Sequence, residues 1–197
     1  TPLGDLAGFD LLASTHPRRC EHPDALRLEH AVEMILPYIA FLQHERERNI
    51  SVATALVSHV STPEAARLLA SDIEQAIGTE ALESASVMIV ASSDFTHYGQ
   101  RFAHVPFGSR PVRHVADKVR QDDLEAAQEL ASGDLSAVIA RHRSGGSSIC
   151  GLAPAAVVSA LAYSLGAIGL VADYYTSLDV LGYAEAEFVA YCTVLWR

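Results

Sequence analysis

The segment that most constrains this chain is Val87-Met88-Ile89-Val90-Ala91-Ser92-Ser93-Asp94-Phe95-Thr96-His97-Tyr98-Gly99. An apolar run bounded by polar residues predicts a strand buried on both faces of an α/β sheet. Ligands of open α/β sheets sit beyond the carboxyl ends of the strands, so the run delivers Asp94 and His97 to where chemistry usually occurs. Ser92 and Ser93 are too small to block access, and Gly99 lets the backbone turn away. The same spacing also accommodates an Asp94 that caps a following helix and a His97 satisfied in a loop.

Patterning around this segment alternates between helix and strand. Leu28, Val32, Ile35, Leu36, Ile39 and Leu42 recur with a helical period over residues 27–48, and Pro37 is expected to kink that helix or loosen one turn. At its front, Glu29, His30 and Glu33 share faces. They suit either a solvated, acid-rich first turn or a group that orients a catalytic residue or binds a metal. Ile50–Val57 reads as a strand, followed by His59 at a pocket rim. Thr62-Pro63-Glu64 opens a helix with a buried stripe of Leu68, Leu69, Ile73 and Ile77, ended by Gly78. Residues 100–112 form a loop whose Phe102, Val105 and Phe107 pack over something, as a lid would. Helices follow at 113–131 and 134–142, with Asp122, Asp123, Glu125 and Glu129 as a solvated face. Strands at 169–175 and 187–195 close the chain. The pattern predicts an α/β fold, a single domain over residues 1–197 with a mixed or parallel sheet and helices on both faces.

Cys150 stands just before a helix expected over 154–165, where the helix dipole favours a thiolate. That suits a metal ligand or a nucleophile, and a small buried cysteine fits equally well. His16, Cys20 and His22 do not have the spacing of a compact zinc unit.

Composition narrows the function classes. The net charge of −10 provides no basic stripe to neutralise phosphates, so nucleic acid is not an expected partner. Three scattered cysteines make no disulfide framework and fit a reducing cytoplasm. No stretch reaches the roughly 18–20 apolar residues of a membrane span, because Pro154, Ser159, Ser164, Gly166 and Gly169 interrupt the nearest one, 153–172. No secretory signal opens the chain, and Thr1 is not the usual first residue. A Gly-rich phosphate loop and a Gly-x-Ser-x-Gly elbow are both missing.

Three stretches taken in order carry a family resemblance. Glu29-His30-Ala31-Val32-Glu33-Met34-Ile35-Leu36-Pro37-Tyr38, Ala91-Ser92-Ser93-Asp94-Phe95-Thr96-His97-Tyr98-Gly99 and Ile149-Cys150-Gly151-Leu152-Ala153-Pro154 resemble the MEMO family, whose prokaryotic branch is named AmmeMemoRadiSam system protein B. The opening Thr1-Pro2-Leu3-Gly4-Asp5 and the late Tyr175-Thr176-Ser177-Leu178-Asp179-Val180 are similar to it as well.

The resemblance implies a fold like that of class III extradiol dioxygenases, which are non-haem iron enzymes. It implies Cys150 as a metal ligand, iron (Fe2+) or another transition metal as cofactor, and Asp94 and His97 in the same pocket, with His97 as acid/base. It places Ser93, Glu29, His30 and Glu33 near that pocket. The family's two ligand histidines lie upstream of the Thr-Pro-Leu-Gly segment, so the resemblance implies an N-terminally truncated domain lacking its first strands and two of three metal ligands. Those ligands are cut away, supplied by another chain, or lost.

Three functions follow from the resemblance. The first is a metal-binding protein with a redox role, the second an extradiol-type dioxygenase using His97, and the third a non-catalytic module for a small-molecule or peptide ligand. Radical-SAM and AMMECR1-like proteins are its implied partners.

Overall fold

The structure, a computed structural model, describes residues 6–8, 29–84, 86–183 and 186–197. The expectations for Thr1–Asp5, His16, Cys20 and His22 lie outside the described residues. The fold is mixed α/β, with small parallel and antiparallel sheets among helices. Contacts group the chain into two units, residues 1–58 with 72–88, and residues 59–71 with 89–197.

In the first unit, β1 (Ala7–Gly8) pairs in parallel with β2 (Ser51–Val52), and helix α1 spans His30–Arg46. Glu29 caps α1, its carboxylate accepting the Ala31 N–H at 2.9 Å. Helix α1 continues through Pro37, and Gln43 near its end accepts the Ile50 N–H at 2.9 Å. The strand expected over Ile50–Val57 is reduced to Ser51–Val52. Helix α2 (Pro63–Ile77) belongs to both units. Thr62 Oγ1 accepts the Ala65 N–H at its start, and the Gly78 N–H returns to Glu74 O at its end, as the sequence predicts. Its buried positions are Ala66 and Ala70, while Leu68 is exposed. The short α3 (Thr79–Glu83) follows.

The second unit is built on a three-stranded antiparallel sheet in the order β3 (His97–Tyr98), β5 (Phe188–Trp196), β4 (Gly169–Thr176). Helix α4 (Val112–Ser132) packs on one face of it. Helices α5 (Leu135–Arg143) and α6 (Leu152–Ser164) pack on α4, and α7 (Ser177–Leu181) links β4 to β5. The core between sheet and α4 is Tyr98, Val112, Val115, Ala116, Val119, Leu178 and Phe188, with Val105 and Phe107 from the 100–112 loop packed against it. That loop thus covers core. Leu170, Tyr175 and Leu195, on the opposite face, are exposed, so α4 covers only one side of a sheet expected to carry helices on both.

Two expectations are corrected. Val87–Ala91 does not form a sheet strand, and Met88 is 80 % exposed. An apolar run specifies a wish for burial, but a strand also needs a ladder partner, which lies elsewhere in sequence. Asp123 is not on a solvated face: it is 0 % exposed. It follows Val119 by four residues and precedes Ala126 and Ala127 by three and four, so the helical period sets it inside the apolar stripe of α4. Glu125 is an exposed acid, whereas Glu129 is only 19 % exposed; both pair with Arg141 of α5, at 3.1 and 2.6 Å.

Candidate active site

Strand alternation decides where the motif's side chains go. In the β3–β5 ladder Tyr98 pairs with Phe188 and His97 with Val189. Tyr98 points into the core, its ring stacked on Phe188 with centroids 5.2 Å apart. His97, one residue earlier, therefore projects from the opposite face, the open one. Tyr175 and Tyr191 stack on that face, 4.9 Å between centroids. Phe102 meets the His97 ring edge-on at 5.2 Å.

Asp94 lies at the approach to β3. Its Oδ2 is 3.4 Å from His97 Nε2, close enough to pair but long for a hydrogen bond. The two side chains are 39 % and 23 % exposed, so the pair is reachable by a ligand. Asp94 neither caps a helix nor stands apart from His97. The Tyr191 hydroxyl is pushed up from its ordinary pKa, first by burial and then by the negative charge of Asp94.

The Cys150 segment runs antiparallel to this one and is stitched to it by side chains. Ser148 Oγ accepts the His97 N–H at 2.9 Å. Cys150 Sγ accepts the Asp94 N–H at 3.4 Å and lies 3.9 Å from Ser93 Oγ. The Gly151 N–H donates to Ser93 Oγ at 2.9 Å, and Ser93 Oγ donates to Asp94 O at 2.8 Å. Cys150 is exposed and free, two residues ahead of α6. The structure thus brings Cys150 to the Ser93–His97 segment, from which more than 50 residues of sequence separate it. Glu29, His30 and Glu33 belong to the first unit. There Glu29 caps α1, and His30, exposed, has Nδ1 3.6 Å from Glu29 Oε1.

The pattern of residues alone assigns no site role to Ser148, Thr96 or Tyr174, and puts Asp123 on a solvated face. Thr96 Oγ1 donates to Asp123 Oδ1 at 2.7 Å, and Tyr174 Oη donates to Asp123 Oδ2 at 2.9 Å, all three residues buried. Burial pushes the Asp123 carboxyl up to about 6 against the opposing pull of these hydrogen bonds. Burial and the Asp123 charge push Tyr174 up, and Cys192, in the same environment, is pushed up to about 12. The place of Asp123 in the apolar stripe of α4 is the sequence feature that marks it as buried.

A model of the Memo-like protein family matches residues 1–195. The chain belongs to the Memo-like protein family. Its full length aligns with MEMO1 family proteins of Thermococcus onnurineus and Thermococcus kodakarensis, at 28 % and 26 % identity, covering 67 % of each relative. A MEMO1 family protein of Methanosarcina mazei is 27 % identical over 99 % of the chain and 66 % of its own length. The chain thus spans about two thirds of the Memo-like relatives it matches.

Membership raises the question of a metal. Among the described residues, no three His, Cys, Asp or Glu side chains converge to hold a metal ion. Cys150 Sγ is one exposed donor, while Asp94 and His97 face each other. Tight transition-metal sites need several donors on one centre, so the described residues do not by themselves fit one. Nor is any described helix long and apolar enough to cross a membrane.

Proposed function

We propose that this chain carries the proton-handling and thiol side of a Memo-type pocket. Asp94 orients His97, and His97 serves as acid/base toward a ligand on the open face. A neutral ring with its proton on Nε2, toward Asp94, keeps Nδ1 as the base. Cys150 provides a thiolate donor to a transition metal, iron first, whose other donors come from outside the described residues. One observation carries this reading: Asp94 touches both partners, its carboxylate 3.4 Å from the His97 ring and its backbone N–H 3.4 Å from the Cys150 sulfur. Cysteine usage supports a cytoplasmic setting.

Cobalt(II) titration tests the thiolate assignment. Binding through Cys150 produces a thiolate-to-cobalt absorption band in the wild type that Cys150→Ser lacks. Identical spectra would remove Cys150 from the donor set.

The enzymatic form of this reading is an extradiol-type dioxygenase, for which His97→Gln abolishes oxygen uptake with catechols while metal content is unchanged. The stacked Tyr175–Tyr191 pair on the same face supports a second reading, a pocket for a small-molecule or peptide ligand without turnover. Radical-SAM and AMMECR1-like proteins are the partners proposed from the resemblance.

A further inference from the structure

We infer that Asp123 is the positioning residue of this site: its buried carboxylate holds Thr96, and Thr96 sets where Asp94 and His97 stand. The inference rests on reading Asp94 and His97 as the proton-handling pair.

Thr96 lies between Asp94 and His97 and is buried. The backbone of this stretch is tied to β5, with Phe95 N–H donating to Ala190 O and Ala190 N–H to Thr96 O, both at 2.9 Å. The other edge of the stretch is tied by the Asp94 and His97 N–H groups to Cys150 Sγ and Ser148 Oγ, so both edges are held and the remaining tie is the one toward α4. The bond from Thr96 Oγ1 to Asp123 Oδ1 at 2.7 Å fixes the inward side of Thr96, and strand alternation then fixes the outward side of His97. Asp123 is itself braced by Tyr174 Oη of β4 at 2.9 Å, so one carboxylate links α4, β4 and the motif.

Stability does not explain the carboxylate. An apolar side chain would continue the α4 stripe, and burial works against the charged form. What a carboxylate provides and an apolar group lacks is a directed acceptor for a particular hydroxyl. Because that acceptor titrates, the positioning is pH-dependent. The groups facing it are Tyr174 from β4, Cys192 from β5, and Asp122 from its own helix, with Arg120 over the Tyr174 ring. Protonation converts one acceptor oxygen into a donor, and Thr96 and Tyr174 can no longer both donate to it.

The test is 15N NMR of the full chain, reading the His97 ring nitrogens and the Thr96 and His97 amides across pH. Asp123→Leu and Thr96→Val, each of which removes one end of the Thr96–Asp123 bond, are expected to shift the His97 ring and amide signals. Tyr174→Phe, which removes the brace but not the Thr96 bond, leaves them in place. In a His97→Gln background, which removes the neighbouring ring, the Thr96 amide shows an inflection near pH 6 that Asp123→Asn abolishes. Folded Asp123→Leu, which has no acceptor for the Thr96 hydroxyl, with wild-type His97 signals would overturn the inference. Should that variant not fold, Thr96→Val decides it, since Tyr174 still partners the carboxylate: unchanged His97 signals reject the inference. These readouts use neither metal nor turnover, so their failure is separable from failure of the cobalt experiment.

Discussion

Gly151 and Ser93 are packed so closely that a Cβ on Gly151 would lie 2.6 Å from the Ser93 Cβ. The Gly151 N–H donates to Ser93 Oγ across the same contact. This contact seats Cys150 beside Asp94. Gly151→Ala is therefore expected to destabilise the protein by about 1–3 kcal/mol through overpacking, read by urea unfolding. The Gly151 backbone is at φ −100, which alanine adopts freely, so the loss comes from the clash. Wild-type stability in that variant would show that the segments separate without cost.

Ser148 Oγ holds the His97 backbone N–H at 2.9 Å. Ser148→Ala leaves that half-buried N–H without its partner, an expected loss of about 1–2 kcal/mol. Amide hydrogen exchange at His97 is the sharper measurement: faster exchange is expected, and an unchanged rate would mean another group takes over.

Tyr98 Oη donates to Gly108 O at 2.8 Å and accepts the Phe107 N–H at 3.0 Å. Tyr98→Phe keeps the stack on Phe188 and deletes both bonds. The expected cost is about 1–3 kcal/mol, with exchange at the Phe107 amide rising more than in α4. Uniform acceleration across the second unit would instead point to a loosened core.

Asp123 is expected to make wild-type stability fall as pH rises. Its folded pKa, about 6, lies above the ordinary 3.8, so between those values the native state binds more protons than the unfolded state. The contribution is complete below about pH 4 and lost above about pH 6. Asparagine does not titrate, so urea unfolding at pH 4.5 and pH 7 is expected to show wild type losing roughly 2 kcal/mol relative to Asp123→Asn. A pH-independent difference would place the Asp123 pKa near its ordinary value.

The covalent chain determined its own local structure where the signal is local. Thr62 as cap, Gly78 as stop, the helical stripes of α4, α5 and α6, and the strands 169–176 and 188–196 follow from spacing and turn chemistry. The candidates Asp94, His97 and Cys150 stood out in the sequence by residue type and motif neighbours, and their proximity is a feature of the tertiary structure. What only tertiary structure decided is pairing. Val87–Ala91 has the composition of a strand, yet no strand forms without a partner. The antiparallel seam from His97–Ser148 to Ser93–Gly151 joins residues more than 50 apart, and no periodicity encodes which segments meet. Asp123 looked like one more surface acid because charge is read one residue at a time. Its burial depends on which side of α4 meets the sheet, and that is set by the apolar residues around it rather than by its own.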